Sequence, residues 1–526
     1  MTDAGYPVIS SLIFLPLAAS VALFFIRQDG FVRGFTLVVG ILECLLALPL
    51  FGYVPNGGYQ FEETVAWIPA WDITYHLAVD GLSLFMVMLT AVLLPLCVLC
   101  SWTYIGKRIK EFHFCLLLMT AACVGVFTAL DFVLFYVFWE AMLVPMYLLI
   151  AVWGGPERKY ASIKFFLYTL AGSTLLLAAI VAFRTVGGTF DITVLTSKTF
   201  SFEFQFWTFL AMALAFAVKV PMFPLHTWLP AAHVQAPSAG SVILAAVLLK
   251  MGTYGFLRLC LPLAPAASVY FAPMMIAVSI ASILYGGLIA LGQKDIKKLV
   301  AYSSVAHMGF VTLGIFVLTQ RGVEGAILQM LNHGITTGAL FMLIGLIYER
   351  SHSREIVDNQ GLGKFMPAFM FFWGLFSLSS LAFPGTNSFV GEVLVLAGTF
   401  EVNNWAGFLA IPGAMLAAAY MLRLMQKVAW GDPSSYKKKW GDLNGREWIY
   451  LMPMAFLVFY IGFAPGPALR MISPSITTVL TTVEQKNQTL GFHKDMPLAE
   501  CMQLEPTARV ADGAASPVSL PGKERL

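Results

Sequence analysis

The sequence predicts an all-α polytopic membrane protein of about 14 transmembrane helices, with two inverted five-helix repeats and two broken helices. Three observations carry that reading. Of 526 residues, 59% are hydrophobic and only 12% are charged, whereas a soluble globular chain carries about 25% charge. Apolar runs long enough to cross a bilayer, about 20 residues each, recur from end to end, and mean hydropathy is +0.78. Finally, two of the runs are broken by proline-rich segments, Pro221 with Pro224 and Pro384-Gly385-Thr386-Asn387.

A window of about 19 residues places spans near 7–26, 31–53, 80–103, 112–130, 132–153, 162–186, 205–225, 238–260, 270–292, 299–319, 324–348, 367–400, 404–429 and 447–470. The stretch from Phe112 to Trp153 would extend some 60 Å as one helix, about twice a bilayer core, so it folds back, and Asp131 marks the turn. The first run follows Asp3 rather than a basic stretch, so it reads as a retained span and not a signal peptide. Of the 32 basic residues, about twenty fall in alternate loops, from Arg27 and Arg33 to Lys437, Lys438, Lys439 and Arg446. The opposite loops hold only Arg184, Lys198, Arg258 and Arg321. That imbalance puts the first set in the cytoplasm and both termini outside. Residues 471–526 read as a polar, loosely ordered tail on the outer side. The domain order is then helices 1–3 in 1–111, a five-helix unit in 112–260, a second, inverted unit in 270–429, and a last helix in 447–470.

An ionisable group at membrane depth is costly and needs a reason. Glu140, Lys219, Lys250 and Glu392 all fall inside predicted spans, on four different helices. Buried ion pairs that fix packing are one explanation. The other is proton transfer, because burial and pairing push the proton affinity of a carboxylate or an amine in opposite directions. His307 and His333 also lie at membrane depth, as relays or as packing groups, since histidine titrates near neutrality. His226 and His233 flank the loop between the seventh and eighth spans and carry less weight. Glu43 reads as an edge polar group or a contact to a neighbouring chain. Broken backbone in a bilayer is tolerated only under protein or beside water. The two breaks lie five spans apart, so a repeated unit enters from the opposite face the second time, as in many transporters. Cys97 and Cys100 have metal-like spacing without a second pair or a nearby histidine, which favours helix packing, and no metal site is expected.

The segments FYVFWEAMLVPMYLLIAVWGG, HTWLPAAHVQAPSAGSVILAAVLLKMGTYGFLRL, KKLVAYSSVAHMGF, LNHGITTGALFMLIG and FPGTNSFVGE closely resemble the antiporter-like subunit M family of bacterial respiratory complex I, NADH:quinone oxidoreductase, called subunit 4 in mitochondria. The resemblance implies a proton-pumping membrane-arm subunit in the bacterial inner membrane. It places proton-transfer roles on Glu140, Lys219, Lys250 and Glu392, with Glu140 and Lys219 as a modulated pair and His307 and His333 as candidate relays. It also implies partners: the antiporter-like subunits L and N, and the peripheral arm, where FMN, iron–sulfur clusters and quinone are handled. Nucleic acid is not an expected partner. Ala231 departs from the pattern, since many bacterial members carry an acidic residue after HTWLP. The chain has no nucleotide-binding glycine fingerprint and no iron–sulfur ligand set, so no redox centre is expected in it. A sodium/proton antiporter subunit, a relative using another electron donor, and a structural membrane scaffold are the rival readings.

Overall fold

The computed structural model describes residues 5–431 and 440–506. Among them, twelve helices are long and apolar enough to cross a membrane, or fourteen if two bent pairs each count as one span. The twelve fall one each on predicted runs, and the bent pairs, Val357–Lys364 with Pro367–Ser380 and Gly445–Phe463 with Gly466–Leu490, overlap the other two, 367–400 and 447–470. Lys437, Lys438 and Lys439 and the last twenty or so residues of the tail, 507–526, lie outside the described residues.

The loop between the second and third spans is not irregular. It forms an antiparallel hairpin of β1 (Gln60–Ile68) and β2 (Ile73–Val79), a correction to the all-helical expectation. The alternation that would have revealed it is weak, because β1 is exposed on most positions. The face of the bundle carrying this hairpin is called the hairpin face below, and the opposite one the basic face.

The inverted repeat is visible in the backbone. Asp131 caps the fifth span (Phe132–Trp153), accepting from the amides of Val133 and Leu134, and pairs in an antiparallel bridge with Asp191. Asp295 caps the tenth span (Ile296–Phe316), accepting from Lys297 and Lys298, and bridges to Glu355. Each bridge is closed by two backbone hydrogen bonds of 2.8–2.9 Å, Phe132 to Phe190 and Ile192 to Leu130 in one, Ile296 to Arg354 and Ile356 to Lys294 in the other. Five crossings separate the two caps, so one sits on the hairpin face and its counterpart on the basic face. An acidic cap serves both ends alike because a helix leaves its first amides unbonded at either face.

Both expected breaks are present. The seventh span (Phe202–Lys219) stops at Lys219, and after a gap the chain runs on through a short helix, Trp228–Gln235, before the eighth span (Ser238–Leu263). The twelfth is split into Pro367–Ser380 and Asn387–Val402. Gly385 takes φ +91° in that gap, a conformation side chains avoid. Spans eight and eleven (Gln320–Ser351) lie at the centre, and the most apolar stretch of each is wholly buried.

Three expectations need correcting. Residues beyond 471 are not a loose tail throughout. A helix, Gly466–Leu490, bends 74° away from the fourteenth span (Gly445–Phe463) and lies across the hairpin face, where Lys486 donates to Pro262 O at 2.8 Å. Phe492 and Cys501 then pack beside Phe202. Arg258 is no loop residue but a buried one within the eighth span. Glu43 faces neither an edge nor a neighbour: it is fully buried within this chain, at the seam where Gly40 meets Pro95. Cys97 and Cys100 are buried packing residues, as read.

Candidate functional site

A π-helical turn at Leu244–Leu248 precedes Lys250 in the middle of the eighth span, and such turns often mark functional positions. The fully buried Lys250 ammonium donates to Ala245 O at 2.5 Å and lies 2.6 Å from His333 Nδ1 on the eleventh span. Gly334 permits this approach, since a Cβ there would sit 2.9 Å from Ala246 O and 2.6 Å from Leu89. The His333 ring faces that of His307, with centroids 5.8 Å apart and planes at 61°. His307 Nδ1 is 2.9 Å from Glu392 Oε1, just past the break in the twelfth span. Its Nε2 is 3.4 Å from both Ser380 Oγ and Tyr420 OH. Gln329 Nε2 donates to the same Glu392 oxygen at 3.1 Å. Four predicted residues, Lys250, His333, His307 and Glu392, are thus one buried row crossing four helices.

The break beside Glu392 is stitched by side chains. Asn332 donates to Asn387 O at 2.8 Å, and Ser379 donates to Asn387 Oδ1 at 2.6 Å while sharing a 2.6 Å contact with Thr336. Freed backbone at membrane depth needs such partners.

The other half of the row is looser. Lys219, 2% exposed, directs Nζ at Met142 Sδ, 3.3 Å away, and over the Trp139 ring at 4.9 Å. Both contacts flank Glu140 in sequence, yet among the described residues no ion pair of 4.0 Å or less joins Glu140 to Lys219. Glu140 is half-buried and its Oε1 is enclosed without a partner. The expected pair is therefore apart in this state. Lys219 connects to Lys250 through packing: Gly252 brings the eighth span so close that a Cβ would meet Lys219 Cβ at 3.1 Å and Phe216 O at 2.9 Å.

His226 and His233 were undervalued by the sequence. Neither lies in a solvent loop. His233 is fully buried, stacks on Phe341 at 4.6 Å, and has no partner for either ring nitrogen. His226 is 3% exposed. The signal was available in Pro221 and Pro224, which break the helix and leave Trp228–Gln235 as a separate buried helix of the same crossing. Gln329, Asn332, Asn387 and Tyr420 were also missed, because neutral polar residues do not stand out against an apolar background.

Residues 129–417 match the family described as NADH:quinone oxidoreductase/Mrp antiporter, TM. Over 505 residues the chain is 45% identical to NADH-quinone oxidoreductase subunit M of Rhodobacter capsulatus, covering 92% of this chain and 98% of that protein. The chain belongs to the NADH-quinone oxidoreductase subunit M family. NADH-ubiquinone oxidoreductase chain 4 of Chondrus crispus is 42% identical, over 87% of this chain and 94% of its own length. A chain of respiratory complex I from Thermus thermophilus superposes with a TM-score of 0.84 at 31% identity, covering 90% of this chain and 99% of that one. The Mrp complex from Dietzia shares the fold, with a TM-score of 0.78 at 22% identity. The subunit M membership and the buried row agree on one stretch of chain, since Glu140, Lys219, Lys250, His307, His333 and Glu392 all fall within 129–417.

Proposed function

We propose that this chain carries protons across the bacterial inner membrane as a membrane-arm subunit of NADH:quinone oxidoreductase. The observation that supports it most is the buried row Lys250–His333–His307–Glu392, with contacts of 2.6 and 2.9 Å at its two ends. Chains of this kind pass protons because each member can hold one and hand it on, and polar groups at this depth are otherwise costly. The unpartnered buried atoms point the same way: Glu140 Oε1, His233 Nδ1 and Nε2, His333 Nε2 and Glu392 Oε2 all lie on or beside the row. Such atoms cost roughly 1–3 kcal/mol each unless hydrated, so internal water belongs along this line.

In this reading Glu140 and Lys219 form the input switch. When a neighbouring subunit moves charge near Glu140, the two side chains close or separate and Lys219 changes its hold on its proton. Lys250, His333 and His307 relay sideways, and Glu392 discharges towards the hairpin face. That face is the periplasmic one, with both termini on it, because the basic loops lie opposite. FMN, iron–sulfur clusters and quinone belong to partner subunits, and the antiporter-like subunits L and N are the neighbours in the membrane.

The test uses the whole purified complex in proteoliposomes. Lys250→Ala is expected to leave the complex assembled and to cut NADH-driven proton uptake about tenfold or more, a range typical of losing a proton-transfer group. Unchanged pumping by an assembled complex would leave only the scaffold role. Pumping that requires sodium, or persists without NADH, would favour the antiporter reading.

A further inference from the structure

Two turns beyond Lys250 on the same helix, about 12 Å towards the hairpin face, the eighth span carries an ion pair that the proton row does not use. Arg258 and Asp80 are 5% and 4% exposed. Arg258 Nη2 donates to Asp80 Oδ1 at 2.5 Å, Nη1 to Tyr59 OH at 3.0 Å and Nε to Tyr254 OH at 3.0 Å. Its Cζ lies 5.3 Å from the centroid of each tyrosine ring, so both rings contact the guanidinium. Tyr254, one turn from Lys250, is itself 1% exposed and donates to Phe127 O at 2.9 Å. Asp80 Oδ1 also accepts from the amides of Leu82 and Ser83, which fixes it at the mouth of the third span (Leu84–Ser101). A second π-helical turn, Phe256–Cys260, sets the angle at which Arg258 leaves its helix.

We infer that Arg258, clamped by Asp80, Tyr59 and Tyr254, is an electrostatic plug that stops protons on Lys250 from escaping directly to the hairpin face and so forces them sideways to Glu392. The claim rests on the proton-translocating role above. The geometry has a direction. Arg258 stands on the helix that carries Lys250, whereas Asp80 stands at the hairpin-side mouth of the third span, so a proton moving from Lys250 along its own helix meets fixed positive charge. An arginine never gives up its own proton, so it repels without conducting, the device some pores use against cations. Tyr254 ends the local hydrogen-bond chain on a backbone carbonyl, which has no proton to pass on. An ordinary structural ion pair needs neither two tyrosine contacts nor a place between the central lysine and one face.

Removing Arg258 alone would strand a buried carboxylate and threaten folding. The informative variant is therefore Arg258→Gln with Asp80→Asn, which removes both charges together and leaves a neutral amide at each position. Passive proton entry is measured in liposomes carrying the whole complex, under a potassium diffusion potential and without NADH. NADH-driven pumping is measured in the same vesicles. The double variant is expected to leak at least about tenfold faster than wild type, the scale set by losing a close fixed charge, with NADH oxidation retained. Asp80→Asn alone, which keeps the positive charge, stays tight. A double variant that assembles and is as tight as wild type overturns the inference, as does one that loses pumping without leaking, since the pair would then conduct. Tyr254→Phe decides the matter if the double variant does not assemble: retained pumping supports the plug, and a tenfold loss shows a conducting route. Wild-type vesicles that fail to pump would instead overturn the proton-translocating role itself.

Discussion

A lysine and a histidine 2.6 Å apart, as Lys250 and His333 are, can share only one proton in the line between them. The pair is therefore a point of transfer and not a store of two charges. His333→Gln keeps a hydrogen-bonding group of similar reach but no titrating nitrogen. It is expected to lower pumping about tenfold with assembly intact, read by proton uptake in vesicles. Outside the membrane, His76 on β2 bonds Asp191 at 2.8 Å and Glu62 at 2.9 Å. Burial disfavours its charged form, but the hydrogen bonds and charges of Asp191 and Glu62 outweigh that and raise its pKa above the usual 6.5. Burial likewise lifts Asp191, yet hydrogen bonds from His76 and Thr193 hold it down to about 2. The signs oppose. His76 contributes fully below pH 6.5 and loses its contribution as pH rises through its raised value. Asp191 contributes above 3.8 and loses it only as pH falls through about 2. The thermal midpoint of the complex should decline as pH rises from 6.5 through the raised value of His76, and His76→Gln should flatten that decline. A wild-type slope identical to that of the variant would show that the contact carries no pH-dependent stability.

The elements that matter most are those that depart from regular helix. The π turn at Leu244–Leu248 and the gap at 381–386 each open a space in which a titratable side chain finds partners outside its own helix. Glycine sets the distance between elements. Gly334→Val places its Cβ against Ala246 O and its added methyls into the same seam, pushing the eleventh span off the eighth. The Lys250–His333 contact should open and pumping should fall, while other spans keep their packing; overpacking of this kind costs about 1–3 kcal/mol. The measurement is proton uptake alongside the yield of assembled complex, and equal pumping would show that the seam tolerates separation.

In the whole bundle, the helix Gly466–Leu490 acts as a strap. It touches the third span's mouth through Ser475, which accepts from Gly81 N at 3.0 Å, the eleventh through Ser473, which donates to Glu324 at 2.6 Å, and the end of the eighth through Lys486. A strap fixing the outer ends of both central spans holds the two repeats in one register. Ending the chain at Ala464 should leave the spans able to insert but reduce the recovery of intact complex and lower its thermal midpoint. Unaltered stability would show that the bundle holds itself.

The sequence alone determined the number of spans, the two breaks and the acids and amines at membrane depth. In a bilayer those follow from transfer energy, which is additive along a chain and can be read one residue at a time. The tertiary structure decided which of them meet. Lys250, His333, His307 and Glu392 are joined because two bulged or broken helices and a glycine seam bring separate spans together, whereas Glu140 and Lys219 stand apart. Contacts between helices depend on the rotation and tilt of each one, which packing sets and hydropathy does not encode. For the same reason Arg258 passed as a loop residue until its partner on the third span's mouth was seen.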